Sequence, residues 1–381
     1  MSAFPTARTA IVGAATFGEG RCPGHEPYGM AAIAARDALA QAGLTFADVD
    51  GVFVTTSHDT FGGGINFAQY CGIRPKVADN SRSGGNVFES YIERAAWLLD
   101  AGLIDCALIA YGSNQASALG KLTRSSAVFP YEDHYGAVLP MSGYAMAAMR
   151  HMHLYGTTRE QLGEVALAAR AWARLNPDAY ARDPMTMDDY LGARMISDPF
   201  GKFDCCLVTD GAAAVVMTRA DRARDCAAKP VWVRGAASMT THAQISSMPD
   251  LTVTGVAECG PRALAHAGLT PDQIDVVEVY DAFTINTILF LEDLGFCPKG
   301  EGGRFVEGGA IAPGGKLAVN TNGGGLSCVH PGMYGLFTAV EAVRQLRGEA
   351  GERQVADART AIAHGNGGVL SSQAVAVLAV D

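Results

Sequence analysis

The sequence has 381 residues, of which 49% are hydrophobic and only 18% are charged, and its formal net charge is −10. A chain of this length buries a sizeable core, in two or three domains or in one large layered body. The acidic balance and the lack of any basic block argue against a nucleic-acid partner. No apolar run reaches the ~18 residues of a membrane span, and residues 1–20 lack the apolar core of a secretory signal.

The nine cysteines are scattered along the chain without the spacing of redox or zinc motifs. An odd number of cysteines in a long chain predicts reduced thiols and therefore a cytoplasmic protein. No pair of His or Cys residues has the spacing of metal ligands together with nearby carboxylates, so the sequence predicts no metal site.

The first predicted elements alternate as strand, helix, strand, helix and strand, over residues 9–15, 28–42, 49–55, 87–99 and 106–111. The strands are apolar and rich in β-branched residues, whereas the helices have apolar residues at helical spacing. This alternation predicts an α/β fold.

Part of this predicted helix–strand segment is repeated later in the chain. Residues 38–54 read ALAQAGLTFADVDGVFV and residues 263–279 read ALAHAGLTPDQIDVVEV, so ten of seventeen positions are identical at an offset of 263 − 38 = 225. The shared Ala-Gly-Leu-Thr turn and the Asp-x-Val-x-Val strand go beyond the similarity of two alanine-rich helices. We predict an internal duplication, with halves at residues 1–225 and 226–381.

Residues 113–200 interrupt the alternation in the first half. They are richer in Met, Tyr, His and Arg, and they contain one clear helix, over residues 160–174. We predict an inserted loop domain that covers the functional site.

Three polar or glycine-rich clusters, at residues 278–284, 319–335 and 363–368, each lie at the end of an apolar run. The middle cluster holds five glycines, His330 and Tyr334. Glycine at this density lets the backbone approach a ligand closely, and the His and Tyr are two proton-handling groups. We expect loops of this kind to converge on one site.

Five short motifs follow one another along the chain. They are Ser81-Arg-Ser-Gly84, Ser197-Asp-Pro-Phe with Thr209-Asp-Gly-Ala-Ala, Tyr280-Asp-Ala-Phe, Gly323-Gly-Gly with His330-Pro, and His364-Gly-Asn-Gly-Gly368. Together, these motifs resemble those of the thiolase superfamily over essentially the whole chain. The closest resemblance is to its sterol-carrier-protein-type branch, also called lipid-transfer thiolase-like proteins. It implies a duplicated thiolase fold, in which two layered sheet–helix halves carry an inserted loop domain.

The departures from the family pattern concern the catalytic cysteines. Working thiolases carry a nucleophilic Cys where this chain has Ser81, and their second catalytic Cys falls near Gly365, next to His364. Thiolytic chemistry needs a thiolate to accept the acyl group, and serine is far less nucleophilic at neutral pH. Covalent acyl transfer would therefore require a base within hydrogen-bond reach of Ser81.

The pattern around Tyr280 and Tyr334 looks like that of the thiolase-like aldolases of bacterial steroid side-chain degradation. The resemblance implies retro-aldol cleavage of a bulky β-hydroxyacyl-CoA, with a pocket that stabilises an enolate. Coenzyme A enters only as part of the substrate, and no separate cofactor is expected. The implied catalytic residues are Tyr280, Tyr334, His330 and His364, and the implied substrate-binding residues are Ser81, Gly84, Gly324 and Asn366.

Other interpretations remain open at this point. The chain could be an acyltransferase that uses Ser81 or a remote Cys, or a non-catalytic protein that binds lipid or acyl-CoA. Ser81 could instead be a helix N-cap, and Asp281 is more simply interpreted as the cap of the run that follows it than as a group orienting a base. The resemblance also implies a homodimer and a partner subunit with a zinc ribbon and an OB-fold.

Overall fold

The computed structural model describes residues 4–56, 62–120 and 132–381. Its strands are β1 (Thr9–Gly20), β2 (Gly51–Thr56), β3 (Val77–Asp79), β4 (Cys106–Ser113), β5 (Met195–Ser197), β6 (Phe200–Gly201), β7 (Asp210–Arg219), β8 (Val231–Thr240), β9 (Val276–Glu278), β10 (Ala318–Val319), β11 (Thr360–Gly367) and β12 (Ser372–Ala379). Its α-helices are α1 (Pro27–Gln41), α2 (Gly63–Tyr70), α3 (Val87–Asp100), α4 (Gln115–Ala118), α5 (Met141–Tyr155), α6 (Arg159–Leu175), α7 (Met187–Leu191), α8 (Ala220–Ala223), α9 (Val256–Ala267), α10 (Thr284–Asp293), α11 (Gly302–Phe305) and α12 (Gly335–Arg347).

Within the described residues, ten of the strands form one sheet in the order β10-β9-β11-β12-β8-β1-β7-β4-β2-β3. The order outward from β1 is β7, β4, β2 and β3, and the order outward from β8 is β12, β11, β9 and β10. The two series also match in direction, with antiparallel pairs next to the centre and parallel pairs toward each edge. The predicted duplication is therefore present in the topology of the sheet.

The repeated sequence segments occupy equivalent places in this arrangement. Residues 38–54 span the end of α1 and the strand β2, and residues 263–279 span the end of α9 and the strand β9. The two series meet where Ala10 and Ile11 of β1 pair with Trp232 and Val231 of β8. The predicted α/β class and duplicated fold are confirmed.

Helices α3 and α12 lie between the two series of strands and bury apolar side chains against both. Helix α3 packs against β4 and β7 of the first series and against β8, β11 and β12 of the second. Helix α12 packs against β1 and β7 on one side and β9 and β11 on the other. Helices α1 and α9 cover the outer faces. The amino-terminal ends of α3 and α12 thereby come close to the ends of β9 and β11.

The segment between β4 and β7 carries α4 to α7 and the short β5–β6 pair. Its predicted helix is confirmed by α6, which begins after Thr158, where the Thr158 hydroxyl and the Gln161 side chain form a capping box. Helix α6 packs against α10 and against the Gly324–Cys328 turn. Residues 121–131 of the predicted insertion lie outside the described residues, and its boundaries stay a prediction. No helix in the described ranges is long and apolar enough to cross a membrane.

Candidate active site

Three of the predicted catalytic side chains meet in one buried cluster. Tyr280 follows β9, whereas His330 and Tyr334 lie in the glycine-rich segment before α12. The ring of Tyr280 stands edge-on to His330 at a centroid distance of 5.6 Å and to Tyr334 at 5.8 Å. The three side chains are buried. Residues fifty positions apart in the sequence therefore form one cluster of proton-handling groups.

Contacts of the backbone fix the positions of the two tyrosines. The Tyr334 amide donates to the Tyr280 hydroxyl at 3.2 Å, and a Cβ at Gly85 would lie 2.0 Å from Cε2 of Tyr280. Glycine is therefore required at position 85 for the amino-terminal end of α3 to approach the Tyr280 ring. The Val279 amide donates to Asn320 Oδ1 at 2.7 Å, which ties the two Tyr-bearing segments together.

The imidazole of His330 has no hydrogen-bond partner among the described residues at either ring nitrogen. Its backbone, in contrast, is held firmly: the amide donates to Thr209 Oγ1 at 3.0 Å and the carbonyl accepts from Gln115 Nε2 at 3.0 Å. Burial lowers the pKa of His330 to about 4. The ring is therefore neutral at pH 7, and its nitrogens are available to a ligand.

The tyrosine hydroxyls stay protonated at neutral pH. Burial raises the pKa of Tyr280 and of Tyr334 well above the ordinary tyrosine value, and the nearby carboxyls of Asp281 and Glu278 raise that of Tyr334 further. The Tyr334 hydroxyl donates to Asn322 Oδ1 at 2.9 Å. The cation that a tyrosine base would need is not among these neighbours, so the two hydroxyls are suited to donate protons rather than to accept them.

Asp281 holds the glycine turn in place. Its carboxylate accepts from the Gly325 amide at 2.6 Å and from the Leu326 amide at 3.4 Å. A Cβ at Gly324 would lie 2.0 Å from Asp281 Oδ2, which explains the glycine there. The prediction that Asp281 caps the next helix is wrong, because the N-cap of α10 is Phe283 and no side chain caps it. Burial raises the Asp281 pKa to about 7.

His364 and Asn366 belong to a hydrogen-bonded chain beside this cluster. The His364 Nε2–H donates to Gln373 Oε1 at 2.9 Å, which leaves Nδ1 to accept from the Tyr280 amide at 3.4 Å. Gln373 Nε2 donates to Asn366 Oδ1 at 2.8 Å, and Asn366 Nδ2 donates to the Tyr144 hydroxyl at 2.7 Å. Both ring nitrogens of His364 are thus engaged, so its contacts are those of a group that orients Tyr280.

Of the two predicted residues before α3, only Gly84 reaches this region. A Cβ at Gly84 would lie 2.4 Å from the Gly367 Cα, so the two loops touch through their backbones. The Ser81 hydroxyl instead donates to Asp79 Oδ1 at 2.8 Å and accepts from Arg94 at 3.3 Å. The interpretation of Ser81 as a helix cap is wrong, because Asn86 is the N-cap of α3.

None of the nine thiols is activated. All nine cysteines are free, and burial raises the pKa of every one of them. Cys206 lies beside the segment that follows Tyr280, since its amide donates to the Ala282 carbonyl at 2.9 Å, and Cys205 and the Asp281 carboxyl raise its pKa further. A thiolate nucleophile is therefore disfavoured. In the described ranges, no group of three or more His, Cys, Asp and Glu could hold a metal ion.

Sequence reasoning missed the polar partners of these residues. Asn322 lies within the glycine-rich cluster, two residues before Gly324, and its polar side chain at that position could have indicated a residue of the site. Tyr144 comes from the inserted segment, where it stacks on Phe283 at a centroid distance of 4.6 Å. Nothing in the local sequence distinguishes it from the other tyrosines of that segment.

Comparison with known proteins gives consistent results. Residues 237–380 match the family model "Thiolase C-terminal domain-like". The chain is 36% identical to an acetyl-CoA acetyltransferase of Methanothermobacter thermautotrophicus, over 89% of this chain and 90% of that protein. It is 35% identical to a 17-hydroxy-3-oxo-4-pregnene-20-carboxyl-CoA lyase of Mycobacterium tuberculosis, over 90% of this chain and 92% of that protein.

A solved structure, the Ltp2-ChsH2(DUF35) aldolase, superimposes with a TM-score of 0.90 and 30% identity, over 99% of this chain and 98% of that one. The structural match covers nearly the whole chain, and the family model covers the segments that carry Tyr280, His330 and Tyr334. The chain therefore belongs to the thiolase superfamily, in the branch of the thiolase-like aldolases.

Proposed function

We propose that this protein is a carbon–carbon lyase that cleaves a bulky β-hydroxyacyl-CoA by a retro-aldol reaction. The observation that carries the proposal is the neutral His330 ring, whose two nitrogens have no partner among the described residues, beside two protonated tyrosines. The raised pKa of all nine thiols supports a mechanism without a covalent acyl-enzyme.

In this mechanism His330 is the base. A ring nitrogen accepts the proton of the β-hydroxyl group as the Cα–Cβ bond breaks, which releases a ketone or aldehyde and leaves the enolate of the shortened acyl-CoA. Because burial keeps the pKa of His330 at about 4, its imidazolium is a strong acid and returns the proton readily. The α-carbon receives that proton, so one proton moves from oxygen to carbon in each turnover.

The two tyrosines act on the negative charge that develops at the thioester oxygen. Their hydroxyls remain protonated at neutral pH, and the rings of Tyr280 and Tyr334 lie 5.6 Å and 6.4 Å from the His330 ring between centroids. Preorganised donors in a dry site stabilise an enolate more than water does. Tyr334 exchanges its contact with Asn322 for the substrate oxygen, and His364 keeps the Tyr280 segment oriented.

The substrate class comes from the relatives rather than from the geometry. The lyase of Mycobacterium tuberculosis acts on a steroid carboxyl-CoA, and we extend a bulky CoA thioester of this kind to the present chain. The Ltp2-ChsH2 aldolase contains a second, DUF35 component. We propose that this chain works with a partner subunit, which the family resemblance suggests carries a zinc ribbon and an OB-fold. We further propose that it forms a homodimer and acts in the reducing cytoplasm that suits its free thiols.

Acyl transfer is the second candidate, because one relative is an acetyl-CoA acetyltransferase and because the Ser81 hydroxyl donates to the Asp79 carboxylate at 2.8 Å. That carboxylate also forms an ion pair with Arg94 at 2.5 Å, which stabilises its charge and weakens it as a base. The contact lies outside the Tyr280–His330–Tyr334 cluster. We therefore favour the lyase.

The experiment that separates the two candidates is turnover of a β-hydroxyacyl-CoA with a branched β-carbon, without free CoA, with and without the partner subunit. We expect a carbonyl product and a shortened acyl-CoA, and a loss of at least about 100-fold for Tyr334→Phe. Tyr180→Phe is the control, because this half-exposed side chain should leave cleavage unchanged. Product that forms only after CoA is added would overturn the lyase proposal.

A further inference from the structure

Glu89 is a fully buried acidic residue that the proposed mechanism does not use. It lies in the first turn of α3 and is 0% exposed. Its Oε2 atom has no hydrogen-bond partner among the described residues. Acidic residues are rarely buried without a partner, so this carboxyl calls for an explanation.

The carboxyl lies between two segments of the site. A Cβ at Gly365 would lie 2.0 Å from Glu89 Oε2, and one at Gly335 would lie 2.8 Å from the same atom. The Thr338 hydroxyl is 3.0 Å from Glu89 Oε1 and 2.7 Å from the Gly335 carbonyl. Any larger residue at either glycine would collide with the acid.

Each of these glycines directly follows a residue of the proposed site. Gly335 comes after Tyr334 and begins α12, whereas Gly365 comes after His364 in β11. The carboxyl group of Glu89 therefore acts as a spacer, and the backbones that carry Tyr334 and His364 rest on its two sides. A change in its size or charge must move at least one of them.

Among the described residues, no cation offsets the burial of this carboxyl. Burial raises the pKa of Glu89 to about 8, and only its own amide and the Thr338 hydroxyl oppose this effect. The titratable residues on the adjacent segments are His364 on β11, whose pKa burial lowers to about 4, and Tyr280, whose ring lies against Gly85 just before α3. Loss of the Glu89 proton would leave an uncompensated charge between the two segments.

We propose that Glu89 is a positioning residue, whose protonated carboxyl holds the Tyr334 and His364 segments at the separation that the reaction requires. The inference rests on the proposed lyase function for its effect on catalysis. The spacing itself does not depend on what the substrate is, and it can be tested without turnover.

The first test is the pH dependence of kcat in wild type, Glu89→Gln and Glu89→Ala. We expect wild-type kcat to fall as pH rises through about 8, because Glu89 ionises there. Glu89→Gln keeps the shape without the charge, so it should stay active and lose this alkaline decrease. Glu89→Ala removes the spacer, and its kcat should fall by about 100-fold at every pH, the usual result of a misplaced group.

Glu278→Gln is the matched control, since Glu278 is a second buried carboxyl whose pKa burial raises to about 8, next to the neighbouring Glu341. We expect this variant to retain the alkaline decrease. If Glu278→Gln abolishes the decrease while Glu89→Gln keeps it, the proposal for Glu89 is overturned. A Glu89→Gln profile that superimposes on the wild type also overturns it.

The second test needs no activity and separates this proposal from the lyase function. In protein labelled with 13C at histidine Cε1, the His364 resonance should shift as pH rises through about 8 in wild type but not in Glu89→Gln. A protein that shows this shift but cleaves no substrate would refute the lyase and keep the spacer. A protein that cleaves substrate without the shift would refute the spacer alone.

Discussion

His330 combines a backbone that is held by hydrogen bonds with a ring that forms none among the described residues. The amide of His330 donates to Thr209 and its carbonyl accepts from Gln115, so the backbone of this residue is fixed. The two ring nitrogens remain unpaired among the described residues. A buried polar group without a partner costs free energy, and a hydrogen bond to a substrate hydroxyl would offset that cost.

We expect the kcat/KM of cleavage to stay constant as pH falls below the ordinary histidine pKa, and to decrease only near pH 4. Burial disfavours the charged imidazolium, so the neutral base is present above a pKa of about 4 and is lost as pH falls through it. The measurement is initial rates from pH 4 to 7, with circular dichroism at each pH to confirm that the protein stays folded. His330→Gln should be inactive throughout, and an acid limb near pH 6.5 would contradict the assignment of His330.

At the scale of elements, the Gly324–Cys328 turn depends on a residue from a different segment. Asp281 follows β9 and accepts hydrogen bonds from two backbone amides of this turn. Helix α6 of the inserted segment contacts the turn from the other side, where Arg170 Nε donates to Ser327 Oγ at 3.1 Å. The turn that leads to His330 is therefore held from both sides. Its shape is a property of three elements together.

We expect Asp281→Ala to lower the free energy of unfolding by about 2 kcal/mol, because it leaves two buried amides without an acceptor. Asp281→Asn retains one acceptor oxygen and should lose about half as much. Urea denaturation measures both values, and hydrogen exchange should show faster exchange at Gly325 and Leu326 in Asp281→Ala. Equal stability of Asp281→Ala and the wild type would refute this role of Asp281.

At the scale of the whole molecule, the two halves share one interior. Helix α3 comes from the first half, yet it packs against β8, β11 and β12 of the second half. Helix α12 comes from the second half and packs against β1 and β7 of the first. The predicted boundary between residues 225 and 226 therefore separates two sequence repeats, whereas the core runs continuously across it. The halves are expected to depend on each other for stability.

We predict that residues 1–225 and 226–381, expressed separately, will not fold as monomers, because each exposes the apolar face of its central helix. Co-expression should restore a complex with the helix content of the intact chain. Size-exclusion chromatography and circular dichroism of the separate and mixed fragments provide the measurement. A monomeric 1–225 fragment with a cooperative thermal transition would contradict the shared core.

Much of the fold was predictable from local pattern. Helix α1, strands β2 and β4, and helices α3 and α6 occur where the hydrophobic periodicity predicts them, and the repeat at residues 38–54 and 263–279 indicated the duplication. Strand β1 runs to Gly20, beyond the predicted end at residue 15, because pairing with β7 extends it across two irregular positions. Pairing of this kind depends on a distant strand and leaves little local signal.

The site was predictable in its residue types and less so in its contacts. The sequence by itself determined that Tyr280, His330 and Tyr334 lie in loops at the ends of apolar runs, since glycine content and periodicity are local properties. Only the tertiary structure decided that Asp281 holds a turn instead of capping a helix, that Ser81 pairs with Asp79, and that Glu89 rests between Gly335 and Gly365. The physical reason is that protonation and hydrogen bonding depend on burial and on neighbours far away in the chain, and these exist only once the two halves have packed together.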